Sequence, residues 1–335
     1  MKVLFLYKGK NETGGNRVVV TQGKSLEKRG VEIEYFPLAG KGPFVYFRAL
    51  AGIRKRLRAG GADLIHAHYG FSGLAGFLSA GKRPLVVSFM GSDLLGSHTR
   101  RGKIKLWSKV MICMHVFLAR YFYSLTIVKS EQMKEKLLKH TRYAVIPNGV
   151  DLKMFRHVDR SSARQQLNID TDDTVVLFPS GRNNPEKNFQ LASAAAGRVK
   201  GQSVRLLEMS STAHEEMNLW FNAADLLLVT SFHEGSPNIV KEAMATGCPV
   251  VSTAVGDIEW LSGDLKGHYL SGSDPGELAV NIEEAVRFRK ENGFTEGRDR
   301  IIKLGLDAEK VADSITGHYA SITEEKRQIS DKHED

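Results

Sequence analysis

The sequence contains only two cysteines in 335 residues, which excludes a disulfide framework as the source of its stability. Cys113 and Cys248 lie in separate apolar runs, and no group of cysteines and histidines has the spacing of a zinc site. Low-complexity segments and internal repeats are also absent. The opening residues MKVLFLYKGK are interrupted by Lys8 too early for a signal peptide and are typical of a first strand. These absences predict a protein of the reducing cytoplasm.

Acidic residues are scarce in the first half of the chain. Residues 1–150 contain 26 Lys and Arg against 8 Asp and Glu, whereas the remainder contains 21 against 30. The chain is long enough for two domains, and this asymmetry predicts that they have different partners. The basic half would face an anionic membrane, a nucleic acid or a phosphorylated substrate. A merely solubilising surface is the alternative interpretation.

Long apolar segments are also rare. Residues 110–128 approach the length of a transmembrane helix, but His115 and Arg120 interrupt them and residues 126–128 (TIV) are typical of a strand. We therefore expect a buried helix followed by a strand.

Another helix, predicted over residues 44–57, runs into a dense basic cluster. It either lies on a membrane surface or exposes a solvated face.

Strands and helices alternate along the whole chain, as in a parallel α/β architecture. The turn at residues 147–151 (PNGVD) ends the basic half and predicts the domain boundary. The predicted domains are residues 1–148 and 149–325, followed by a charged, frayed tail over 326–335.

Residues 225–260 carry the most informative pattern, a strand, a loop, a helix and a second strand. The run Leu226–Val229 is typical of a strand buried on both faces. We predict a helix over residues 238–246, with Ser236 as its N-cap and Pro237 near its first turn. The loop between them lies at the carboxyl end of a strand and opens onto a helix N-terminus, where phosphate-containing ligands bind.

Two carboxylates flank this helix N-terminus. Glu234 lies in the loop and Glu242 about a turn and a half into the helix. The pair could hold two parts of one extended polar ligand. The alternative interpretation is a helix dipole that favours Glu234 and a solvated Glu242.

Other strand ends also carry ligand-binding residue types. Arg182 and Lys187 lie in the loop of residues 179–188 (PSGRNNPEKN) before a predicted helix, which is a credible diphosphate site without the spacing of a P-loop. Gly14-Gly15 follows the first strand and lets the backbone approach a ligand closely, although GxGxxG is not met. His66 and His68 share one face of a strand, but a metal site would lack a nearby carboxylate or third ligand.

Three motifs stand together in a fixed order: residues 147–151 (PNGVD), Gly181-Arg182 with residues 185–187 (PEK), and residues 234–237 (EGSP) with Glu242-Ala243. In this combination the chain resembles glycosyltransferase family 4 over residues 1–325, and in particular enzymes of bacterial surface-polysaccharide assembly. The resemblance implies the GT-B fold, two Rossmann-like α/β domains facing a central cleft that holds the active site. It also implies a retaining, nucleotide-sugar-dependent reaction with no metal and no cofactor beyond the nucleotide sugar as co-substrate.

The resemblance further implies a role for each site residue. Arg182 and Lys187 would bind the diphosphate, Glu234 the transferred sugar, and Glu242 the ribose hydroxyls. The backbone of Gly235, Ser236, Pro237 and Asn238 would lie near the sugar, and Gly14 and Gly15 near the donor phosphates.

Two departures from the family pattern stand out. Met90 occupies the position where many members have a histidine that contacts the donor sugar. That role is either empty here or taken by another group, with His68 as the candidate. The second domain looks trimmed between Leu207 and His214, where members have a further turn, helix and strand.

We therefore predict a transferase that moves a sugar from a nucleotide diphosphate donor to a glycan or lipid-phosphate-linked acceptor. It would be cytoplasmic, with residues 1–150 meeting the anionic inner membrane face, and would bind no nucleic acid. A nucleotide-sugar epimerase of the same fold is one alternative. A non-catalytic basic module that binds a membrane or a nucleic acid is the other, but the aromatic-interleaved basic patterns of RNA-binding modules are missing.

Overall fold

The computed structural model describes residues 1–9, 16–40, 42, 44–97 and 104–331, with only the backbone for 329–331. The described chain divides into two compact units. Unit 1 comprises the described residues up to 97, residues 104–149 and the C-terminal segment that starts at Ala308, and unit 2 comprises residues 150–307.

Unit 1 is built on a parallel sheet of six strands in the order β2-β1-β3-β4-β5-β6. The four central strands of this sheet are buried on both faces, as their apolar sequences predict, whereas the two edge strands are only partly buried. The strands are β1 (Lys2–Lys8), β2 (Glu32–Leu38), β3 (Leu64–His68), β4 (Leu85–Ser88), β5 (Leu125–Val128) and β6 (Tyr143–Val145). The helices before the chain enters unit 2 are α1 (Arg17–Glu27), α2 (Phe44–Gly60), α3 (Gly70–Ala80), α4 (Ser92–Leu95), α5 (Leu106–Tyr121) and α6 (Glu131–Lys134).

Unit 2 contains a parallel sheet of five strands in the order β11-β10-β9-β7-β8. Its strands are β7 (Thr174–Phe178), β8 (Val204–Glu208), β9 (Leu226–Val229), β10 (Val250–Thr253) and β11 (His268–Ser271). Its helices are α7 (Arg160–Gln166), α8 (Phe189–Ala196), α9 (Met217–Ala223), α10 (Asn238–Thr246), α11 (Ile258–Ser262), α12 (Pro275–Asn292) and α13 (Gly297–Lys303). Short 3₁₀ turns at Pro185–Lys187 and His214–Glu216 complete the unit.

The last helix, α14 (Ala308–Asp331), returns to unit 1. Its buried residues Ile315 and Tyr319 join the core formed by α1 and one face of the six-stranded sheet. Residues 308–325 therefore group with unit 1 and not with the predicted second domain, and α14 continues to Asp331 through part of the predicted tail. The apolar stripe of a helix shows that it packs, but not on which of two similar sheets.

The apolar segment of residues 110–128 resolves into helix α5 and strand β5 as expected. The prediction that this helix is buried is wrong, because α5 keeps one exposed apolar side. Among the described residues, no helix combines the length and the apolar composition that crossing a membrane requires. Ser130 caps α6 by accepting a hydrogen bond from the backbone N–H of Met133.

Candidate functional site

The order of strands in unit 2 identifies one place on its sheet as a ligand site. The chain passes from β7 to β8 on one side and then returns to β9 on the other side. Strands β7 and β9 therefore flank a topological switch point, and in open α/β sheets ligands bind outside the carboxyl ends of the strands at such a point. The loops that leave β7 and β9 carry the predicted residues Arg182, Lys187 and Glu234.

Lys187 and Glu234 meet at this point. The Lys187 ammonium donates to Glu234 Oε1 at 2.5 Å, and the Ser231 hydroxyl donates to the same oxygen at 2.6 Å. The backbone N–H of Phe232 donates to the Glu186 carbonyl at 3.0 Å, which joins the two loops directly. Only 25% of the Lys187 side chain and 14% of the Glu234 side chain are exposed. A cation and a carboxylate are thus held side by side in a partly desolvated site.

Arg182 lies on the other side of the β7 loop. Its backbone N–H and its Nε donate to the two carboxylate oxygens of Glu208 at 2.6 and 2.7 Å, and its guanidinium lies 5.3 Å from the centre of the Phe189 ring. These hydrogen bonds hold the pKa of the Glu208 carboxyl below its usual value. The Arg182 side chain is two-thirds exposed, so its charge is available to a ligand in solution. The sequence analysis missed Glu208, although its place at the end of β8 is a usable signal.

Helix α10 begins at Asn238, but its cap differs from the prediction. Pro237 occupies the N-cap position and makes no side-chain cap bond. The Ser236 hydroxyl instead accepts a hydrogen bond from the Lys241 ammonium at 3.0 Å. Ser236 is therefore not the N-cap, because its side chain turns towards a buried lysine. Since Pro237 offers no side-chain acceptor at this end of α10, the helix N-terminus suits an anion.

The loop after β10 supports the Glu234 loop from behind. Gly256 has a left-handed backbone with φ of +61°, and a Cβ atom there would lie 2.9 Å from the Gly235 carbonyl oxygen and 3.1 Å from Glu234 Cβ. Only glycine adopts this backbone freely and permits this approach. Gly256 therefore allows the loop after β10 to pack closely against Glu234 and Gly235.

We expect Gly256→Ala to lower both the melting temperature and the turnover. The left-handed conformation costs about 1–2 kcal/mol for alanine, or roughly 2–8 °C in a unit of this size, and the close contact would also displace the Glu234 loop. Gly293→Ala is the matched control, since Gly293 has φ of +79° and open space around it. Thermal unfolding and steady-state kinetics check this. Equal turnover for the two variants would show that the Glu234 loop does not depend on Gly256.

Lys241 and Asp257 form a buried charged pair beside this loop. Lys241 is fully buried, which lowers the pKa of its ammonium to about 8, against an attraction from Asp257 that raises it. Asp257 is 8% exposed, and burial raises the pKa of its carboxyl to about 6. Attraction to Lys241 and a hydrogen bond with the Ser236 hydroxyl oppose this effect of burial on the Asp257 pKa. Burial thus disfavours the charged forms of both Lys241 and Asp257.

Glu242 follows Lys241 on helix α10. Its Oε1 lies 3.9 Å from Nε2 of His214, in the 3₁₀ turn after β8, and 15% of its side chain is exposed. The interpretation of Glu242 as a solvated surface residue is therefore wrong. Glu234 precedes the helix and Glu242 lies on it, so the two carboxylates belong to one loop-and-helix element.

His66 and His68 lie in the interior of unit 1. Their rings stack at 4.2 Å, and Nε2 of His66 pairs with the Ser88 hydroxyl at 2.8 Å while its Nδ1 pairs with Tyr319. Burial lowers the pKa of both imidazoles well below the usual value. His68 is 2% exposed and packs on Phe5. Its contact with a donor sugar stays a prediction, and the two rings are neutral core groups in this structure.

The loop after β4, where Met90 stands, is organised by Asp93. The buried Asp93 carboxylate accepts hydrogen bonds from the backbone N–H groups of Gly70, Met90 and Gly91 at 2.9–3.1 Å. The backbone carbonyl of the same residue pairs with Nδ1 of His115 at 3.0 Å. Asp93 therefore joins the loops after β3 and β4, a role that the sequence analysis did not assign. A carboxylate three residues after a loop N–H is the local signal for it.

Gly14 and Gly15 lie outside the residues that the structure describes. Within the described ranges, no three His, Cys, Asp or Glu side chains are grouped so that they could hold a metal ion.

Two family models match the chain, one on either side of the boundary between the units. The model of Glycosyltransferase Family 4 matches residues 13–154, and the model of Glycosyl transferases group 1 matches residues 162–287. Together they cover strands β2 to β6 of unit 1, the loops that carry Lys187 and Glu234, and helix α10, which carries Glu242. The protein is a glycosyltransferase.

Curated and solved relatives agree with this. The glycosyltransferase is 25% identical to the D-inositol 3-phosphate glycosyltransferase of Mycobacterium tuberculosis, over 83% of this chain and 72% of that one. Sucrose-phosphate synthase from Thermosynechococcus elongatus has a TM-score of 0.79 at 18% identity, covering 96% of this chain and 99% of the other. Anabaena HepE in complex with UDP has a TM-score of 0.73 at 20% identity, covering 96% and 100%, and HepE was also solved with UDP-glucose. These likenesses confirm the predicted GT-B fold.

Proposed function

We propose that this glycosyltransferase moves a sugar from a nucleotide diphosphate donor to a glycan or lipid-phosphate-linked acceptor with retention of anomeric configuration. The observation that carries the proposal is the Lys187–Glu234 pair at the switch point of unit 2, beside the start of helix α10. A cation, a carboxylate and helix N–H groups in one place match the phosphate and hydroxyl groups of a nucleotide sugar.

In this proposal, the donor spans the loops that follow β7 and β9. Lys187 and the exposed Arg182 bind the diphosphate, and Glu234 accepts hydrogen bonds from the sugar hydroxyls. Glu242 accepts hydrogen bonds from the ribose. The two HepE complexes, one with UDP and one with UDP-glucose, support a donor of this class.

The chemical step needs positive charge where the diphosphate departs. The acceptor oxygen bonds to the anomeric carbon while the bond from that carbon to the diphosphate oxygen breaks on the same face. The acceptor proton passes to the departing diphosphate. Lys187, Arg182 and the N–H groups of α10 stabilise the charge that develops there. No protein nucleophile is assigned, since Glu234 is held by Lys187 and Ser231.

The basic charge of unit 1 bears on the acceptor. An acceptor linked to a lipid phosphate lies at an anionic surface, which attracts Lys and Arg side chains. We therefore propose a membrane-linked acceptor of polysaccharide biosynthesis and a peripheral position at the cytoplasmic membrane face.

A panel of nucleotide sugars tests the donor. The protein is first screened by thermal shift, since a ligand that binds only the folded state raises the melting temperature. Each stabilising donor is then incubated with lipid-phosphate-linked and free glycan acceptors, and the product is identified by mass and its anomeric configuration by NMR. Inverted product would exclude retention. Epimerised donor accumulating without acceptor would favour the epimerase that the sequence left open.

We expect Glu242→Gln to raise the KM for the donor by about 10- to 100-fold, because a hydrogen bond to a charged group contributes about 1.5–3 kcal/mol. The kcat should change much less, since the ribose does not react. Glu259→Gln, at an exposed position on α11, is the matched control. Donor-saturation kinetics on both variants decide the point, and an unchanged KM would remove Glu242 from the donor site.

A further inference from the structure

Helices α2, α3 and α5 form one layer on one face of the unit 1 sheet. Their buried residues Ile53, Ala75 and Val116 belong to a single core cluster with β1 and β4. Helices α1 and α14 cover the opposite face through another cluster. The outward sides of α2, α3 and α5 therefore share one surface of unit 1.

Helix α5 carries a second apolar face on that surface. Leu106, Val110, Phe117 and Tyr121 recur at helical spacing and are 52–78% exposed, and Trp107 beside them is 55% exposed. The side of the helix that faces the core is formed by other residues, among them Val116 and Leu118. Burial in the core therefore does not account for this stripe, and an exposed apolar patch of this kind marks an interaction site.

The stripe continues across α3 to α2. The Phe122 ring, directly after α5, lies 4.5 Å from the Phe77 ring of α3 and 6.0 Å from the Phe117 ring. On α3, Leu78 is 37% exposed and its carbonyl accepts a hydrogen bond from the Arg54 guanidinium of α2 at 2.9 Å. Apolar and cationic groups are thus contiguous over the three helices.

The charge of this layer has one sign. Helices α2, α3 and α5 contain no Asp or Glu. Helix α2 contributes Arg48, Arg54, Lys55 and Arg58, while its Arg56 is paired with Glu34 of β2 at 2.7 Å, and α5 contributes Lys109 and Arg120. The Arg120 guanidinium lies 5.1 Å from the centre of the Tyr121 ring, so cation and ring share one position on the surface.

We propose that the outer surface of α2, α3 and α5 docks on an anionic phospholipid bilayer, with the α5 stripe entering the headgroup region and the cations of α2 meeting lipid phosphates. Aromatic and aliphatic side chains surrounded by Lys and Arg are the composition of interfacial helices. The absence of carboxylates from all three helices favours an anionic bilayer surface. This deepens the membrane association of the proposed function and is independent of the donor site.

Vesicle flotation of the full-length chain tests the surface. Wild-type protein should float with vesicles containing about 30% phosphatidylglycerol, and at least fivefold less with pure phosphatidylcholine or at about 0.5 M salt. Trp107→Ser/Val110→Ser should reduce the floated fraction at least fivefold, and Arg54→Gln/Lys55→Gln should also reduce it. Trp260→Ser/Val280→Ser is the matched control, since Trp260 and Val280 are similarly exposed in unit 2. Circular dichroism melting checks that each variant folds.

Each outcome supports or contradicts the proposal that this surface docks on an anionic bilayer. Flotation with pure phosphatidylcholine equal to that with anionic vesicles would overturn it, as would a Trp107→Ser/Val110→Ser variant that floats like wild type. A wild-type dimer in light scattering that this variant dissociates, without vesicle binding, would assign the surface to a second copy instead. Donor kinetics separate this test from the proposed function. Vesicle binding without any sugar transfer would overturn the proposed function alone, and transfer to a soluble acceptor without vesicle binding would overturn the surface alone.

Discussion

Replacing Lys187 with methionine is expected to lower the kcat for sugar transfer by about 100- to 1000-fold, the loss typical of removing one preorganised group that stabilises developing negative charge. Methionine keeps most of the side-chain volume and removes only the charge. The effect should be large because the Lys187 side chain is three-quarters covered and its ammonium is fixed by Glu234 at 2.5 Å. A charge held in a partly desolvated site acts on the diphosphate through less screening water.

Arg182 should matter less than Lys187. Its side chain is 66% exposed and already bound to Glu208, so Arg182→Ala is expected to raise the donor KM while lowering kcat only modestly. Lys303→Met, at an exposed position in α13, controls for the loss of one positive charge in unit 2. Single-turnover kinetics with saturating donor separate binding from chemistry. If Lys187→Met retained wild-type kcat, the donor site would not lie between β7 and β9.

The double variant Lys241→Met/Asp257→Asn is expected to be more stable and less active than wild type. Replacing a buried ion pair by uncharged groups of similar size often stabilises a protein by about 1–4 kcal/mol. Both members of this pair have pKa values shifted towards the neutral form by burial, so the ionised pair opposes folding. Turnover should fall about five- to tenfold. The Ser236 hydroxyl loses the hydrogen bond from Lys241 that holds it in place before helix α10.

The contributions of Asp257 and Lys241 to stability depend on pH with a defined sign. Asp257 has its pKa raised from 3.8 to about 6, so its contribution to stability is complete below pH 3.8 and is lost as the pH rises through 6. Lys241 has its pKa lowered from 10.5 to about 8, so its contribution is complete above pH 10.5 and is lost as the pH falls through 8. Near neutral pH, neither Asp257 nor Lys241 contributes to the stability of the wild type in this way. The melting temperature of the double variant should therefore exceed that of wild type most between pH 6 and 8.

Calorimetry across pH 4–8 checks this prediction. Arg205→Met/Asp173→Asn is the matched control, because it removes an exposed ion pair from the same unit and should change the melting temperature little. A double variant that melts lower than wild type at pH 7 would show that the buried pair stabilises the fold. Unchanged turnover in a more stable variant would show that Ser236 needs no positioning by Lys241.

Much of the architecture could be predicted because the relevant signals are local. The apolar run Leu226–Val229, the loop after it and Gly247 define a strand and a helix within a few residues, and the predicted helix over 238–246 is the one observed. The motifs around Lys187 and Glu234 were sufficient to propose that both bind one donor. Their direct contact could not be predicted, because 46 residues separate them and the contact depends on β7 and β9 being neighbours.

The errors share a physical cause. Serine is a common N-cap residue, but the Ser236 hydroxyl instead accepts a hydrogen bond from the buried ammonium of Lys241. Residues 308–325 have the pattern of a packing helix, but only the shape and burial of Tyr319 against His66 decide which sheet it covers. Side-chain competition and the choice between two similar docking surfaces are tertiary properties.

The sequence by itself determined two parallel α/β units and a boundary near Gly149, because hydrophobic period and turn residues act over short distances. It also predicted a ligand site at Arg182, Lys187, Glu234 and Glu242. Only the tertiary structure decided the pairing of Lys187 with Glu234, the burial of Lys241 with Asp257, and the exposed apolar stripe on α5. The sequence of α5 is apolar on several sides, and which side meets the core depends on where α3 and β4 stand. Burial, and with it charge state and available surface, is fixed by neighbours that are distant in the chain.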